Sequence, residues 1–306
     1  MVLKGAYDLK SKDMSITRRN VLKNLALGTS AIIVAPAISC AAKYQNKKKY
    51  TLKGNINHSV CRWTYNFLPL EELCKVVKDI GFSAIDLVGP KEWPVLQQYG
   101  IFSSMCYTAG ENSLTKGWNN PDYHSVLIRD FTEAIPLAAK AGYKNVICFS
   151  GSRNGMDDET GLKNCTEGLK KILSLAEKNN IIVQMELLNS KVDHKDYMCD
   201  RTPWGVELCK RISSQNFKLL YDIYHMQIDE GDVIRTIEDN HQYLGHYHTG
   251  GVPGRHEIDE TQELFYPAIM RAILKTGFKD YVAQEFIPAH DNKVESLREA
   301  VKVCDV

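Results

Sequence analysis

From about residue 56 onward, short runs rich in valine, isoleucine and phenylalanine alternate with longer segments of helical period. The apolar runs lie near 57–62, 83–88, 101–106, 145–149, 181–188, 217–222, 243–248 and 281–286. Helical patterns fall near 69–80, 91–98, 122–141, 160–179, 203–213, 230–240 and 261–275, with one more near 293–303 after the last run. Gly81, Gly100, Gly142, the Asn179–Asn180 pair and Gly277 stand where a helix must stop before the next strand. Strand–helix units repeated in this way over about 250 residues predict a (β/α)8, or TIM, barrel. A doubly wound sheet is the alternative, but no G-x-G-x-x-G follows the first run. The barrel is expected to be a single domain over residues 56–304.

Ahead of it, residues 15–23 read Ser-Ile-Thr-Arg-Arg-Asn-Val-Leu-Lys and lead into an uncharged apolar stretch from Leu25 to Ile38. A basic start, an apolar middle and a small-residue exit make an export signal, and the paired Arg18-Arg19 resembles the twin-arginine type. The exit offers an A-x-A cut at Ala35-Pro36-Ala37, or a degenerate lipoprotein box ending at Cys40, which would carry a lipid anchor. We therefore expect an upstream extension and signal over 1–40, a linker over 41–55, and an exported protein, periplasmic or membrane-anchored.

Residues 1–40 hold six basic and two acidic side chains of the 38 and 37 in the whole chain, so the remainder carries a net charge of −3 with neutral histidine. That balance disfavours nucleic acid as a partner, which calls for a basic face. It also disfavours a barrel built for phosphodiester hydrolysis. It leaves room for a small acidic or neutral substrate and for assembly with further copies of the chain. The nine cysteines show no C-x-x-C pair, so neither a disulfide framework nor a zinc–thiolate site is expected.

In a (β/α)8 barrel, function sits at the C-terminal ends of the strands. Those ends carry Glu186, Asp222, His248 and Glu285, one from each of runs five to eight. Consecutive parallel strands are neighbours, so the four side chains can converge above the barrel. A carboxylate in an apolar setting is costly unless paired, and a divalent ion is the simplest shared partner. Three carboxylates and one imidazole without sulfur suit Mn²⁺ or Mg²⁺, with Co²⁺ or Zn²⁺ as alternatives. Arg255 offers a planar fork for a substrate carboxylate or hydroxyls, the plainer reading being an ion pair with Glu257. His225 reads either as a substrate contact or as a group orienting a metal ligand. Arg62, Trp63, Tyr65, Trp93 and Tyr107 follow early strands and are candidates for the pocket wall, whereas His124 and His194 have no assigned partner.

The segments Tyr221-Asp-Ile-Tyr-His-Met-Gln227, Gly245-His246 and Pro253-Gly-Arg-His-Glu257 resemble hydroxypyruvate isomerase, and more broadly the xylose-isomerase-like sugar isomerase/epimerase barrels. The resemblance covers roughly residues 56–290 and is strongest from 181 to 288. It implies that Glu186, Asp222, His248 and Glu285 bind the metal and that Glu186 and Glu285 are the acid/base pair. It further implies that His225, Arg255 and Glu257 face the substrate. The expected reaction is isomerisation of a small hydroxy-carbonyl compound, hydroxypyruvate-like or a sugar, through an enediolate. Where the isomerases proper usually carry glutamine this chain has His248, as ketose 3-epimerases do, so epimerisation is the alternative. A non-catalytic, exported sugar-binding barrel is the third reading.

Overall fold

Six parallel strands pair in the order β1 (Asn57–Val60), β8 (Tyr281–Gln284), β7 (Leu244–Thr249), β6 (Phe217–Asp222), β5 (Ile182–Leu187) and β4 (Asn145–Cys148). Two short strands, β2 (Ala84–Ile85) and β3 (Phe102–Ser103), pair with each other. Single parallel bridges at Cys61–Asp86, Val88–Cys106 and Cys106–Val146 carry the ladder from β1 through β2 and β3 back to β4, so the ring closes as a TIM barrel. This computed structural model describes residues 50–108, 110 and 114–306. The expected signal segment, Cys40 and the linker up to residue 49 lie outside the described residues.

The strands form where the apolar runs predicted them, but β2 and β3 are shorter than their runs. At β2 the cause is local: Leu87 has a φ of 56°, a left-handed value that a bulky residue rarely adopts and that ends the strand after Asp86. The helices between strands are α1 (Leu70–Ile80), α2 (Trp93–Gln98), α3 (His124–Lys140), α4 (Asp158–Lys178), α5 (Thr202–Ile212), α6 (Ile223–Asp229), α7 (Val233–Asn240) and α8 (Tyr266–Lys275), with α9 (Lys293–Cys304) last. The short α6 has no counterpart among the helical patterns; it starts directly after β6, whose last residue, Asp222, is its N-cap.

Helix α1 shows how sequence period becomes packing. Leu70, Leu73, Cys74, Val77 and Ile80 recur at three- and four-residue spacing and all are buried. Glu71 and Glu72 favour the positive N-terminus of the helix. Gly81 ends it with a φ of 117°, donating its N–H to the Val77 carbonyl, a conformation that penalises any Cβ. Each fully buried aliphatic side chain contributes about 1.5–3 kcal/mol, and Leu73→Ala would cost about 2–5 kcal/mol because it also leaves a cavity.

Residues 50–55, expected as part of a linker, are tied to the end of the chain. Tyr50 Oη and the Lys53 N–H both donate to Asp305 Oδ2 at 2.8 Å, and Asn55 Nδ2 donates to the Val306 carbonyl at 2.9 Å. The folded unit thus reaches beyond the expected 56–304 at both ends. Among the described residues all eight cysteines are free and buried, and no helix is long and apolar enough to cross a membrane.

Candidate metal centre

The C-terminal ends of β5 to β8 bring four side chains to one spot. Asp222 and His248 are direct partners in the β6–β7 register, and Glu186 lies in β5, paired with Leu220. Glu285 stands one residue past β8, but its N–H still donates to the Thr249 carbonyl at 3.0 Å, so it continues the ladder. Glu186, Asp222, His248 and Glu285 each offer a ligand atom, all within 4.8 Å of one another. None of the four is more than 4% exposed.

His248 is the hinge of this cluster. Its Nδ1 lies 3.2 Å from Glu186 Oε1 and 2.7 Å from Glu285 Oε2, yet among the described residues neither Nδ1 nor Glu186 Oε1 has a well-aligned hydrogen bond, though both are buried. Close approach of several lone-pair atoms without hydrogen-bond alignment suits atoms that share an ion. The charges agree: three carboxylates against the Arg255 guanidinium leave a deficit that a divalent cation would cancel. Mixed oxygen and imidazole donors without thiolate suit Mn²⁺, Mg²⁺, Co²⁺ or Zn²⁺. The residues present therefore fit a divalent metal.

The protonation of the metal-free cluster reflects the same crowding. Burial raises the Asp222 carboxyl well above the usual range, even with Arg255 Nη2 only 3.1 Å away. Burial raises Glu186 as well. Burial would also raise Glu285, but Arg255 and His248 beside it win and hold it well below the ordinary value. At His248 burial opposes the charged form, yet Glu285 and the other acidic neighbours push its pKa well up.

Asp86, not singled out in the sequence, completes the arrangement from behind. It is fully buried beyond β2, and its Oδ1 bonds His248 Nε2 at 2.9 Å while Oδ2 lies 3.0 Å from His246 Nε2. Ser104 Oγ donates to the same carboxylate. A carboxylate on Nε2 keeps a hydrogen on that nitrogen, so that with a metal bound Nδ1 would be the lone-pair nitrogen facing Glu186 and Glu285. The signal was readable: Asp86 is the single acid in the apolar run at 83–88, at a strand end.

Arg255 belongs to the same spot. Its Nη2 reaches Asp222 Oδ2 at 3.1 Å and Glu285 Oε2 at 2.6 Å, and its guanidinium carbon lies 5.3 Å from the Trp63 ring and 5.3 Å from the Tyr224 ring. The loop that delivers it is tight. Arg255 adopts a left-handed φ of 59°, and a Cβ at Gly251 would meet the Glu257 carbonyl oxygen at 2.4 Å. The ion pair with Glu257 does not form, and the structure does not bring Glu257 to the cluster. Its Oε1 instead accepts the N–H groups of Ala289 and His290 and the Ser296 hydroxyl, bracing the loop before α9. Those donors lower the Glu257 pKa against the upward push of burial.

His225 is buried beside Asp222, with Nε2 3.5 Å from Asp222 Oδ2. Asp222 is also the N-cap of α6, accepting the His225 N–H at 3.2 Å, so the Asp-x-x-His spacing is in part a capping motif. A cavity of about 360 Å³ over the cluster is lined by Glu186, Glu285, Arg255 and His194, with walls that include Trp63, Tyr107 and Leu188. Trp63 Nε1 donates to Glu285 Oε1 at 2.8 Å. Of the other aromatic pocket candidates, Tyr65 packs edge-on against Phe286 and Trp93 against Tyr143, while His124, expected without a partner, bonds the Trp118 carbonyl. Arg62 is engaged by Glu92 and by the Tyr65 and Leu68 carbonyls.

Known proteins share this framework. The family model for the xylose isomerase-like TIM barrel matches residues 74–305. A 2-oxo-tetronate isomerase of Pectobacterium atrosepticum is 25% identical over 231 residues, covering 72% of this chain and 87% of that one. A putative hydroxypyruvate isomerase of Mus musculus is 23% identical over 254 residues, covering 77% and 90%. Among solved structures, a D-psicose 3-epimerase crystallised in the presence of D-fructose superposes with a TM-score of 0.68 at 17% identity, covering 82% of this chain and 100% of that chain. Its likeness bears on the fold. The relatives are isomerases and epimerases, and the resemblance to hydroxypyruvate isomerase read from the motifs holds across the barrel. With three-quarters of its length matched by the family model, the chain belongs to the xylose isomerase-like TIM barrel family.

Proposed function

We propose that this chain is a divalent-metal-dependent isomerase of a small hydroxy-carbonyl compound, hydroxypyruvate-like or a sugar. The observation that carries this reading is the placement of two buried glutamates, Glu186 and Glu285, on β-strand ends that flank His248. Glu186, Asp222, His248 and Glu285 would hold the metal. When bound, a divalent ion would supply Lewis acidity that stabilises the negative charge developing on a substrate carbonyl oxygen.

The chain's own residues would do the rest. One of the two glutamates removes the proton beside the carbonyl, and a glutamate returns it to the neighbouring carbon, which interconverts aldose and ketose forms. Arg255, fixed between Asp222, Glu285 and the two aromatic rings, places its donors beside the reacting carbons, where a substrate carboxylate or hydroxyl would bind. Trp63, Tyr107 and Leu188 line the cavity and limit water around the carbanion-like species. Glu186 and Glu285 come from non-adjacent strands, so proton return to the opposite face of the same carbon is geometrically open. That favours ketose 3-epimerisation as the second reading. The twin-arginine-like segment supports an exported enzyme.

The test follows deuterium from solvent into hydroxypyruvate, 2-oxo-tetronate and ketohexoses with Mn²⁺ present. Exchange with isomerised product supports the first reading, and exchange with inverted configuration supports the second. Exchange that persists in both Glu186→Gln and Glu285→Gln would refute the proton-transfer roles. A sugar that binds with no exchange at all would leave a binding barrel.

A further inference from the structure

His225 and His248 flank Asp222 yet are held by opposite kinds of neighbour. Behind His248 stands an acceptor, the Asp86 carboxylate. Behind His225 stands Asn189, whose Nδ2 lies 2.6 Å from His225 Nδ1. The orientation of the Asn189 amide is settled by its own loop: Oδ1 accepts the N–H groups of Val192 at 3.0 Å and Asp193 at 2.9 Å. The amide nitrogen must therefore face the other way, where it donates to Asp193 Oδ2 at 2.7 Å and to His225 Nδ1. Asp193 Oδ2 is 4.0 Å from Nδ1, too far to take a proton from the ring, and it already accepts the Tyr224 hydroxyl at 2.8 Å.

We infer that Asn189 is a positioning residue that holds His225 as the Nε2–H tautomer, a hydrogen-bond donor turned toward Asp222 at the edge of the cluster. A neutral imidazole that accepts at Nδ1 carries its hydrogen on Nε2. That nitrogen is buried and has no hydrogen-bond partner among the described residues: Asp222 Oδ2 is 3.5 Å away and is engaged by Arg255. A buried donor left unmet is costly, so a substrate oxygen that reaches it is bound there. His225 in this form can be neither a proton acceptor nor a metal ligand through Nε2. His225 lies behind the cavity lining, so a substrate oxygen would meet it only by entering beside Asp222, a contact that rests on the function proposed above.

The test exchanges the two neighbouring side chains as Asn189→Asp with Asp193→Asn in the full-length protein. The swapped pair keeps the two loop N–H bonds to the side chain at position 189, while one oxygen, Asp193 Oδ2, now accepts from both Asn189 and Tyr224, so an asparagine at 193 that donates to position 189 gives up the Tyr224 hydroxyl. The group facing His225 Nδ1 changes from donor to acceptor, and Tyr224→Phe in the wild-type background controls for the lost hydroxyl contact. Ring ¹⁵N shifts of the metal-free protein, with His225 assigned by its loss in His225→Gln, should show Nε2–H in the wild type and Nδ1–H in the swap. Asn189→Ala, which removes the donor without adding a charge, should leave the two tautomers mixed. With Mn²⁺ bound, the swap should lower kcat/KM by about 10- to 100-fold, the range for a lost hydrogen bond in a buried site. An unchanged tautomer in the swap, or Nδ1–H in the wild type, overturns the inference. A switched tautomer with unchanged kcat/KM overturns the substrate contact. Failure of every candidate substrate to react would count against the proposed function, while the ¹⁵N shifts still decide the role of Asn189.

Discussion

Replacing Asp86 by asparagine tests how the barrel aims His248. The carboxylate now accepts from Cys61 and Ser104 and holds His248 Nε2 at 2.9 Å, with His246 Nε2 at 3.0 Å from its other oxygen. Asparagine keeps the volume and one acceptor, so the core should stay packed. It removes the negative charge that makes His248 a better electron donor, and it puts an amide N–H where one of these neighbours expects an oxygen. Loss of a carboxylate behind a ligating imidazole typically weakens metal binding by about 10- to 100-fold, or about 1.4–2.7 kcal/mol. Calorimetric titration with Mn²⁺ reads this directly. Thermal unfolding of the metal-free variant should fall as well, because a buried donor now meets donors and His248 loses its carboxylate partner, so metal affinity is compared on samples shown to be folded at the assay temperature. Metal affinity within twofold of wild type would refute the reasoning and return Asp86 to a packing role. Binding of a second ion that is lost in Asp86→Asn and in Cys61→Ser would instead make Asp86 a ligand, since Cys61, Asp86 and His248 also lie within ligand reach of one another.

Arg255→Met should destabilise the metal-free protein by about 3–5 kcal/mol, because it leaves the buried Asp222 and Glu285 without their cation. Urea unfolding should show much of that loss restored by saturating Mn²⁺, which would supply positive charge at the same place. Burial pushes His58 down to about 4 despite Asp305 Oδ1 at 3.7 Å, so between pH 6.5 and 4 the unfolded chain binds the extra proton. Stability should therefore rise with pH across that window and be lost as pH falls through it. His58→Gln should remove as much as about 3 kcal/mol of the acid sensitivity, read from denaturant midpoints at pH 7 and pH 4.5.

The barrel was legible because period is a strong signal. Runs five to eight are long, rich in Val, Ile, Leu and Tyr, and their strand ends fall within a residue or two of those expected. Runs two and three were over-read, since Leu87 takes a left-handed turn that composition does not announce. Helix α6 carries too little sequence signal to read, because its 7 residues make only about two turns started by a side-chain cap, with no room for a period to develop. The four-residue cluster followed from one rule, a polar residue at a buried strand end, and the same rule applied to the second run would have found Asp86. Asn189 was out of reach of any such rule. Its role depends on a loop that folds back so that two consecutive N–H groups seize one oxygen, and on a histidine 36 residues away in sequence. Glu257 misled because a motif gives neighbours in sequence, whereas the turn at Gly254 and Arg255 sends the two charged side chains to different places.

The central claim is that Glu186, Asp222, His248 and Glu285 together bind one divalent ion. The direct measurement is the stoichiometry and affinity of Mn²⁺ for the metal-free protein and for Glu186→Gln, Asp222→Asn, His248→Asn and Glu285→Gln, by calorimetry with metal analysis of the dialysed samples. The account predicts one ion per chain in the wild type and affinity at least about tenfold weaker in each variant. No binding in the wild type, or four variants that bind as the wild type does, would contradict it.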